Sequence, residues 1–320
     1  MKVMMTEPLQ PIGIAVFEDH PDIELIRPED TSEEALIEAA RGVDGIAVRS
    51  AKLTADVLAA APNLRGVSRH GVGYDNIDVA TLTNRRIPLM LAIHANAISV
   101  AEHTMFFLLS LAKRGRIYDQ AARESNFALR SSAIAVDIAD KTLTIVGFGR
   151  IGTRLAKRAL AFDMQVNVCD PYVDDAEISA AGCTPVSNFQ DVLPNTDFLT
   201  VHCPLNNETR HIVSKDELSL MGPDSFVINC ARGGIVDEAA LMSALDSDAI
   251  AGAGIDVYET EPPAADHPFL KSDKIYLSPH SAGVSIEAAR RMSTETATNL
   301  VAALSGDINP ATLANPEVLG

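Results

Sequence analysis

The sequence predicts an α/β chain of two doubly wound domains, one set inside the other. Three observations carry this. Short apolar runs alternate with helical patterns through most of the 320 residues, which implies parallel βαβ units. A glycine-rich turn begins only at position 147, so a segment of domain size precedes it. Two long helical patterns, near 98–114 and 285–304, flank the block that this turn opens. The simplest path leaves the first domain along one helix and returns along the other. Residues 1–98 and 291–320 then form one discontinuous domain, and 99–290 the other.

In the first domain, Ile12–Phe17 reads as a buried strand, Glu33–Ala40 as a helix and Gly45–Val48 as a strand. Ala55–Ala61 is helical, Leu64–Val67 a strand, and Ile87–Leu91 a strand that Pro88 assigns to a sheet edge or a strand start. Ile98–Arg114 is a long helix with Asn96 or Ser99 as its cap, and Arg116–Val136 is irregular or helical. Six strands follow: Thr142–Val146, Gln165–Cys169, Phe198–His202, Ser225–Asn229, Gly252–Asp256 and Ile275–Ser278. A last helix covers Ser285–Leu304.

Composition excludes several partner classes. The net charge is −17, which argues against nucleic acid and anionic membranes, since both require basic patches. The longest apolar run near a helix, Met105–Leu109 with Leu111 and Ala112, is too short to span a bilayer. Met1–Gln10 carries Lys2, Glu7 and Pro8 and no long apolar core, so it is not expected to act as a secretory signal. Cys169, Cys183, Cys203 and Cys230 have no metal-ligand spacing. No metal is expected, and the thiols fit a reduced, cytoplasmic protein.

The run Ile145-Val146-Gly147-Phe148-Gly149-Arg150-Ile151-Gly152 has the strand–turn–helix order that an adenine dinucleotide needs. Gly147 permits the tight turn, Gly149 lets the backbone approach a pyrophosphate, and Gly152 lets the helix pack on the sheet. Amides at the helix N-terminus then face phosphate charge. Asp170 lies 18 residues past Gly152, after the strand Gln165–Cys169, where an acid binds the ribose 2′-hydroxyl and repels a 2′-phosphate. This block is therefore predicted to be a Rossmann domain preferring NAD to NADP, and the other a flavodoxin-like substrate domain.

Three polar residues follow strands of the Rossmann block: Arg232, Glu261 and His280. Carboxyl ends of strands line the ligand crevice of an open α/β sheet. An arginine fork suits a carboxylate, a histidine can carry a proton near neutral pH, and a glutamate beside it orients the ring. From residue order alone, Glu259 or Asp256 remains an alternative partner for His280. Each assignment alone also fits a solvated arginine or a turn histidine; the three together are stronger.

The chain resembles the D-isomer-specific 2-hydroxyacid dehydrogenase family along nearly its whole length. The resemblance runs through Arg69–Asp78, Asn96 with Ser99–His103, Gly147–Gly152, Asn229–Gly234, Asp256 with Glu261-Pro262, and Pro279-His280. It implies that Arg232 holds the substrate carboxylate and carbonyl, that His280 is the acid/base, and that Glu261 is its partner. It implies further that Ser50 and the amides near Val72 and Gly73 meet the substrate. Arg150 and Ile151 meet the pyrophosphate and Asp170 the adenosine ribose. His202, Cys203, Pro204 and Thr209 line the cofactor cleft, with Cys230 and Gly283 beside it and Asp256 at the nicotinamide carboxamide. The family also implies a homodimer built on the NAD-binding domain, with 116–137 as an arm.

One departure is Asp140 before Lys141, where the family usually has glycine. The chain ends soon after its last long helix, which is read as lacking the regulatory domain of long phosphoglycerate dehydrogenases. Short phosphoglycerate, glyoxylate/hydroxypyruvate and other hydroxyacid dehydrogenases all fit. Arg49, Ser50, Arg69 and His70 either read a second anionic group or are ion-paired scaffold. Other readings are an NAD-sensing corepressor-like protein, disfavoured by the compact chain, and phosphite oxidation on the same scaffold. Formate oxidation is disfavoured because that subgroup carries glutamine where Glu261 stands.

Overall fold

A computed structural model describes residues 1–320. In chain order its elements are β1 (Lys2–Met5), α1 (Pro11–Glu18), β2 (Glu24–Ile26), α2 (Glu33–Ala40), β3 (Gly45–Val48), α3 (Ala55–Ala59), β4 (Gly66–Arg69), α4 (Val79–Asn84) and β5 (Leu89–Leu91). There follow α5 (Ala97–Ala112), α6 (Gly115–Arg123), β6 (Thr142–Val146), α7 (Gly152–Ala161), β7 (Gln165–Cys169), α8 (Asp175–Ala180), β8 (Thr184–Pro185) and β9 (Phe198–Val201). The remainder is α9 (Lys215–Leu220), β10 (Phe226–Asn229), α10 (Glu238–Asp246), β11 (Gly252–Ile255), β12 (Ile275–Leu277) and α11 (Ile286–Ser305).

These elements form two compact units, Met1–Asn96 with Val284–Gly320, and Ala97–Gly283. The C-terminal junction precedes α11 instead of cutting it at 290/291. Ser285 caps that helix, accepting from the Ala288 amide at 2.9 Å, and the helix then runs unbroken to Ser305.

The first unit is a parallel sheet of order β2-β1-β3-β4-β5, the flavodoxin-like order. All four residues of β3 are buried, as expected for a strand covered on both faces. One face packs Met4, Ile46 and Val67 against Leu36, Val57 and Leu82; the other packs Val3 and Met5 with Phe17 and Leu300. The Ile12–Phe17 run, expected as a strand, lies within helix α1. A short apolar run does not separate buried strand from buried helix. Pro11 at the first helical position starts the helix, and Gly13 and Phe17, one turn apart, bury the same face. A Cβ on Gly13 would stand 2.5 Å from the Ser293 carbonyl, so glycine permits α1 and α11 to touch. The first strand of this sheet is Lys2–Met5 instead, paired between β2 and β3. Edge strand β5 begins just after Pro88, and Asn315 of the C-terminal tail ties it down, accepting from the Leu89 amide at 2.8 Å.

The second unit is a seven-stranded parallel sheet, β12-β11-β10-β9-β6-β7-β8. It is the Rossmann order with a seventh strand added. Edge strands β2 and β8, three and two residues long, carry no pattern long enough to read from sequence. The chain direction switches between β6 and its neighbours β7 and β9, which places a crevice at the carboxyl end of β6. Asp140, the departure from the family glycine, has φ 62°, a left-handed conformation that aspartate tolerates better than most residues.

His70, 8% exposed, sits in the first unit with its Nε2 3.0 Å from the Ser293 hydroxyl. Burial above all, with repulsion from Arg49 and Arg69, lowers its pKa to about 4. The unfolded chain binds this proton near the ordinary value of about 6.5. The associated stability is therefore complete above that value and is lost as pH falls toward 4. Between pH 7 and pH 5, urea unfolding is expected to show about 2 kcal/mol less loss for His70→Gln than for the unchanged chain. Equal losses in the two proteins would contradict this.

Candidate active site

The glycine turn leaves β6 at Gly147, whose φ is 102°. A Cβ there would lie 2.7 Å from the His202 carbonyl carbon, and one on Gly152 would lie 2.2 Å from the Gly147 oxygen. Both glycines are required by backbone packing. Gly149 differs, because a Cβ on it would meet nothing within 4 Å. Its bareness serves no contact within the protein and leaves the surface open for a ligand. Helix α7 then begins at Gly152 with no side-chain cap, so no side chain competes with an anion there, while its Thr153 amide bonds back to the Gly149 carbonyl at 3.1 Å. Arg150 is exposed and Ile151 half-buried at this turn.

Asp170 stands just beyond β7. One of its oxygens accepts from the Phe148 amide at 2.7 Å and the other from the Tyr172 amide at 2.9 Å. The acid is thus pinned to the glycine turn, and each oxygen keeps a lone pair for a further donor. His202, Cys203 and Pro204 follow β9 on the other side of β6, and the Thr209 hydroxyl donates to the Pro204 carbonyl at 2.6 Å. The His202 residue is only half-buried, but its ring Nδ1 is sealed off without a partner in the protein. Burial lowers its pKa to about 4, so the ring is neutral at neutral pH. Burial also raises the Cys203 thiol to about 11 and pushes Cys230 up further, which makes both poor nucleophiles. A glycine cradle, an uncapped helix and a pinned acid form a donor set that fits an adenine dinucleotide.

The catalytic candidates occupy the ends of β10, β11 and β12. Asn229 ends β10 and braces its own loop, accepting from the Ala231 amide at 3.0 Å and donating to the Arg232 carbonyl at 2.8 Å. Arg232 Nη1 donates to the Ala231 carbonyl at 2.7 Å. Next to it, a Cβ on Gly233 would lie 1.8 Å from the Tyr258 oxygen. The loops after β10 and β11 therefore pack backbone to backbone, bringing Arg232 close to the 258–261 segment.

Asp256, 1% exposed, follows β11. Its carboxylate accepts from the Ser281 amide at 2.8 Å, the Ala282 amide at 2.9 Å and the Ser278 hydroxyl, and its carbonyl accepts from the His280 amide at 2.8 Å. This wraps the loop ending at Gly283 around one acid and holds His280 at φ 52°. Glu261 accepts from the Tyr258 amide at 3.1 Å through one oxygen, and its other lies 2.7 Å from His280 Nδ1. Of the three acids that residue order left open, Glu261 meets the ring. Glu259 pairs instead with His211 at 3.0 Å, beside a separate cavity of about 400 Å3.

Ser50, Val72 and Gly73 belong to the first unit, beyond the neighbouring strands β3 and β4. Ser50 gives both its amide and its hydroxyl to Glu7, at 2.7 and 2.6 Å. This contact, between residues far apart in sequence, has no sequence signal. The same holds for Ser278 and its neighbour His103.

Residues 105–282 match the sequence model described as "D-isomer specific 2-hydroxyacid dehydrogenase, NAD binding domain". The chain belongs to the D-isomer-specific 2-hydroxyacid dehydrogenase family. It is 33% identical to a glyoxylate reductase of Korarchaeum cryptofilum, over 99% of this chain and 97% of that one. It is 34% identical to a D-3-phosphoglycerate dehydrogenase of Methanocaldococcus jannaschii, over 96% of this chain but 58% of that protein. The chain thus spans a little over half the length of such phosphoglycerate dehydrogenases. Among solved members of the family, a D-lactate dehydrogenase of Aquifex aeolicus complexed with NAD and lactic acid superposes with a TM-score of 0.86 at 27% identity, covering 98% of this chain and 99% of that one. An NADPH-dependent glyoxylate/hydroxypyruvate reductase of Sinorhizobium meliloti gives 0.85 at 28% identity, covering 99% and 97%.

The glycines of this family member separate packing from binding. Gly152→Ala is expected to lower the melting temperature by several degrees, since overpacking costs about 1–3 kcal/mol. Gly149→Ala should leave melting nearly unchanged while raising the NADH Kd about tenfold, read by fluorescence titration. Normal NADH binding by the Gly149 variant would contradict the placement of the cofactor.

Proposed function

We propose that this chain is an NAD-dependent oxidoreductase interconverting a small (R)-2-hydroxy acid and its 2-keto acid. The observation that carries the reading is the His280–Glu261 pair, 2.7 Å between Nδ1 and the carboxylate, on strand ends of the same sheet as Arg232 and the glycine turn. When bound, the reduced nicotinamide supplies a hydride to C2 of the keto acid. Arg232 grips the substrate carboxylate with its planar fork. His280 gives a proton from Nε2 to the developing C2 alkoxide and takes it back in the reverse direction. Glu261 fixes the proton on Nδ1 and stabilises the imidazolium. Asp256 meets the carboxamide, and the amides near Val72 and Gly73 meet the acid from the substrate-binding unit; Ser50, whose amide and hydroxyl both go to Glu7, keeps no proton for it. Asp170 takes the ribose hydroxyls and disfavours a 2′-phosphate.

The match along nearly the full length of a glyoxylate reductase favours a small keto acid. We place the protein in the cytoplasm, a reading supported by its four free thiols. No helix is long and apolar enough to cross a membrane. The net charge of −17 supports a chain that binds no nucleic acid. A homodimer through the NAD-binding unit is supported by exposed Ile117, Phe127 and Val136 along the 116–137 arm.

Glyoxylate, hydroxypyruvate and phosphohydroxypyruvate assayed with NADH and NADPH test the class. Turnover should favour NADH, and a clear preference for NADPH would contradict the role of Asp170. His280→Ala should lower kcat by at least a hundredfold with NADH binding intact. Near-normal turnover in that variant would sink the mechanism.

A further inference from the structure

His103 lies on α5, remote in sequence from the strand-end residues, yet the fold brings it to them. Its Nε2 is 2.9 Å from the Ser278 hydroxyl, and that same hydroxyl bonds to the Asp256 carboxylate. Asp256 in turn holds the Ser281 and Ala282 amides and, through its carbonyl, the His280 amide. We propose that His103 is a positioning residue for His280, acting through Ser278 and Asp256. This rests on the reading of His280 as the acid/base.

Proton counting fixes the direction of the chain. A carboxylate only accepts, so Ser278 spends its single proton on Asp256. The Ser278 oxygen is then an acceptor toward His103, and His103 carries its proton on Nε2. A neutral ring suits this place. The imidazole packs edge-on against Phe107 with ring centroids 4.5 Å apart, and burial lowers its pKa despite the attraction of Asp256.

The chain matters because of where the loop is held. His280 sits at φ 52°, a left-handed conformation that is costly for most residues with a Cβ and is held here by its surroundings. The surroundings here are the bonds to Asp256. A hydroxyl hydrogen can turn from one acceptor to another. His103 engages the acceptor side, which commits the Ser278 proton to Asp256 and keeps the 278–282 loop closed around the acid. A role confined to packing against Phe106 and Phe107 would need no hydrogen bond at Nε2.

The test uses the full chain with NADH and whichever of glyoxylate and hydroxypyruvate turns over faster. His103→Phe keeps the packing and removes the donor. It should lower kcat about fivefold, with NADH Kd and KM within about twofold. His103→Gln, which can place an amide donor near the Nε2 position, should restore most of that loss. Adding His103→Phe to Ser278→Ala should produce no further loss, since the link is already cut. If His103→Phe fails to fold, Ser278→Ala against Ser278→Thr reads the same link from the other end, with the hydroxyl-bearing variant near normal. Unchanged kcat in His103→Phe, a glutamine variant as poor as phenylalanine, losses that multiply in the double variant, or a fully active Ser278→Ala would overturn the proposal. His280→Ala is the control. Normal turnover there removes the reading of His280 itself, whereas an inactive His280→Ala beside a normal His103→Phe removes only the positioning role.

Discussion

A carboxylate that is 1% exposed must find donors, and the donors that Asp256 finds define this site. Two backbone amides and a serine hydroxyl converge on it from the loop after β12. Without that acid the loop would have no reason to turn back on β11, and His280 no reason to hold a left-handed backbone. Leaving those buried amides without an acceptor would cost about 1–3 kcal/mol each. The position of the histidine is therefore set less by the residue itself than by the strand beside it.

The sheet makes this convergence possible. Every strand of the second unit runs parallel, so all carboxyl ends open on one edge. Glycines then bring loops and helices nearer than side chains would allow. Gly233 lets the loops after β10 and β11 touch, and a Cβ on Gly254 would stand 2.8 Å from the ring of Phe107, so β11 can lie flush against α5. That close packing is also what carries His103 to Ser278. The glycine turn, the His280–Glu261 pair and its supporting hydrogen bonds are consequences of one edge and a few missing Cβ atoms.

Much of this was legible in the sequence where a residue type has one physical use in one context. The glycine turn with Asp170 marks a strand, a turn and a helix start together, and the strands Thr142–Val146 and Gln165–Cys169 fall where their apolar pattern puts them. The same logic failed for Ile12–Phe17, whose apolar run is too short to carry a period. Tertiary contact with α11 decided its conformation. Edge strands β2 and β8 are too brief to register. Among the site residues, Arg232, Glu261 and His280 stand out because each follows a strand. The choice of Glu261 over Glu259 required geometry, since both acids sit in one turn and only their side-chain directions differ. The contacts of His103, Ser278 and Glu7 left no local trace, because their partners lie far along the chain.

We propose that the strand ends of the second unit assemble a hydride-transfer site around His280, and a crystal structure with NADH and the keto-acid analogue oxamate would show it. The pyrophosphate should lie over Gly149 at the start of α7 and the oxamate carboxylate in the fork of Arg232. The analogue's carbonyl oxygen should lie within about 3 Å of His280 Nε2. Oxamate bound away from His280, or a pyrophosphate placed elsewhere than on the 147–152 turn, would contradict it.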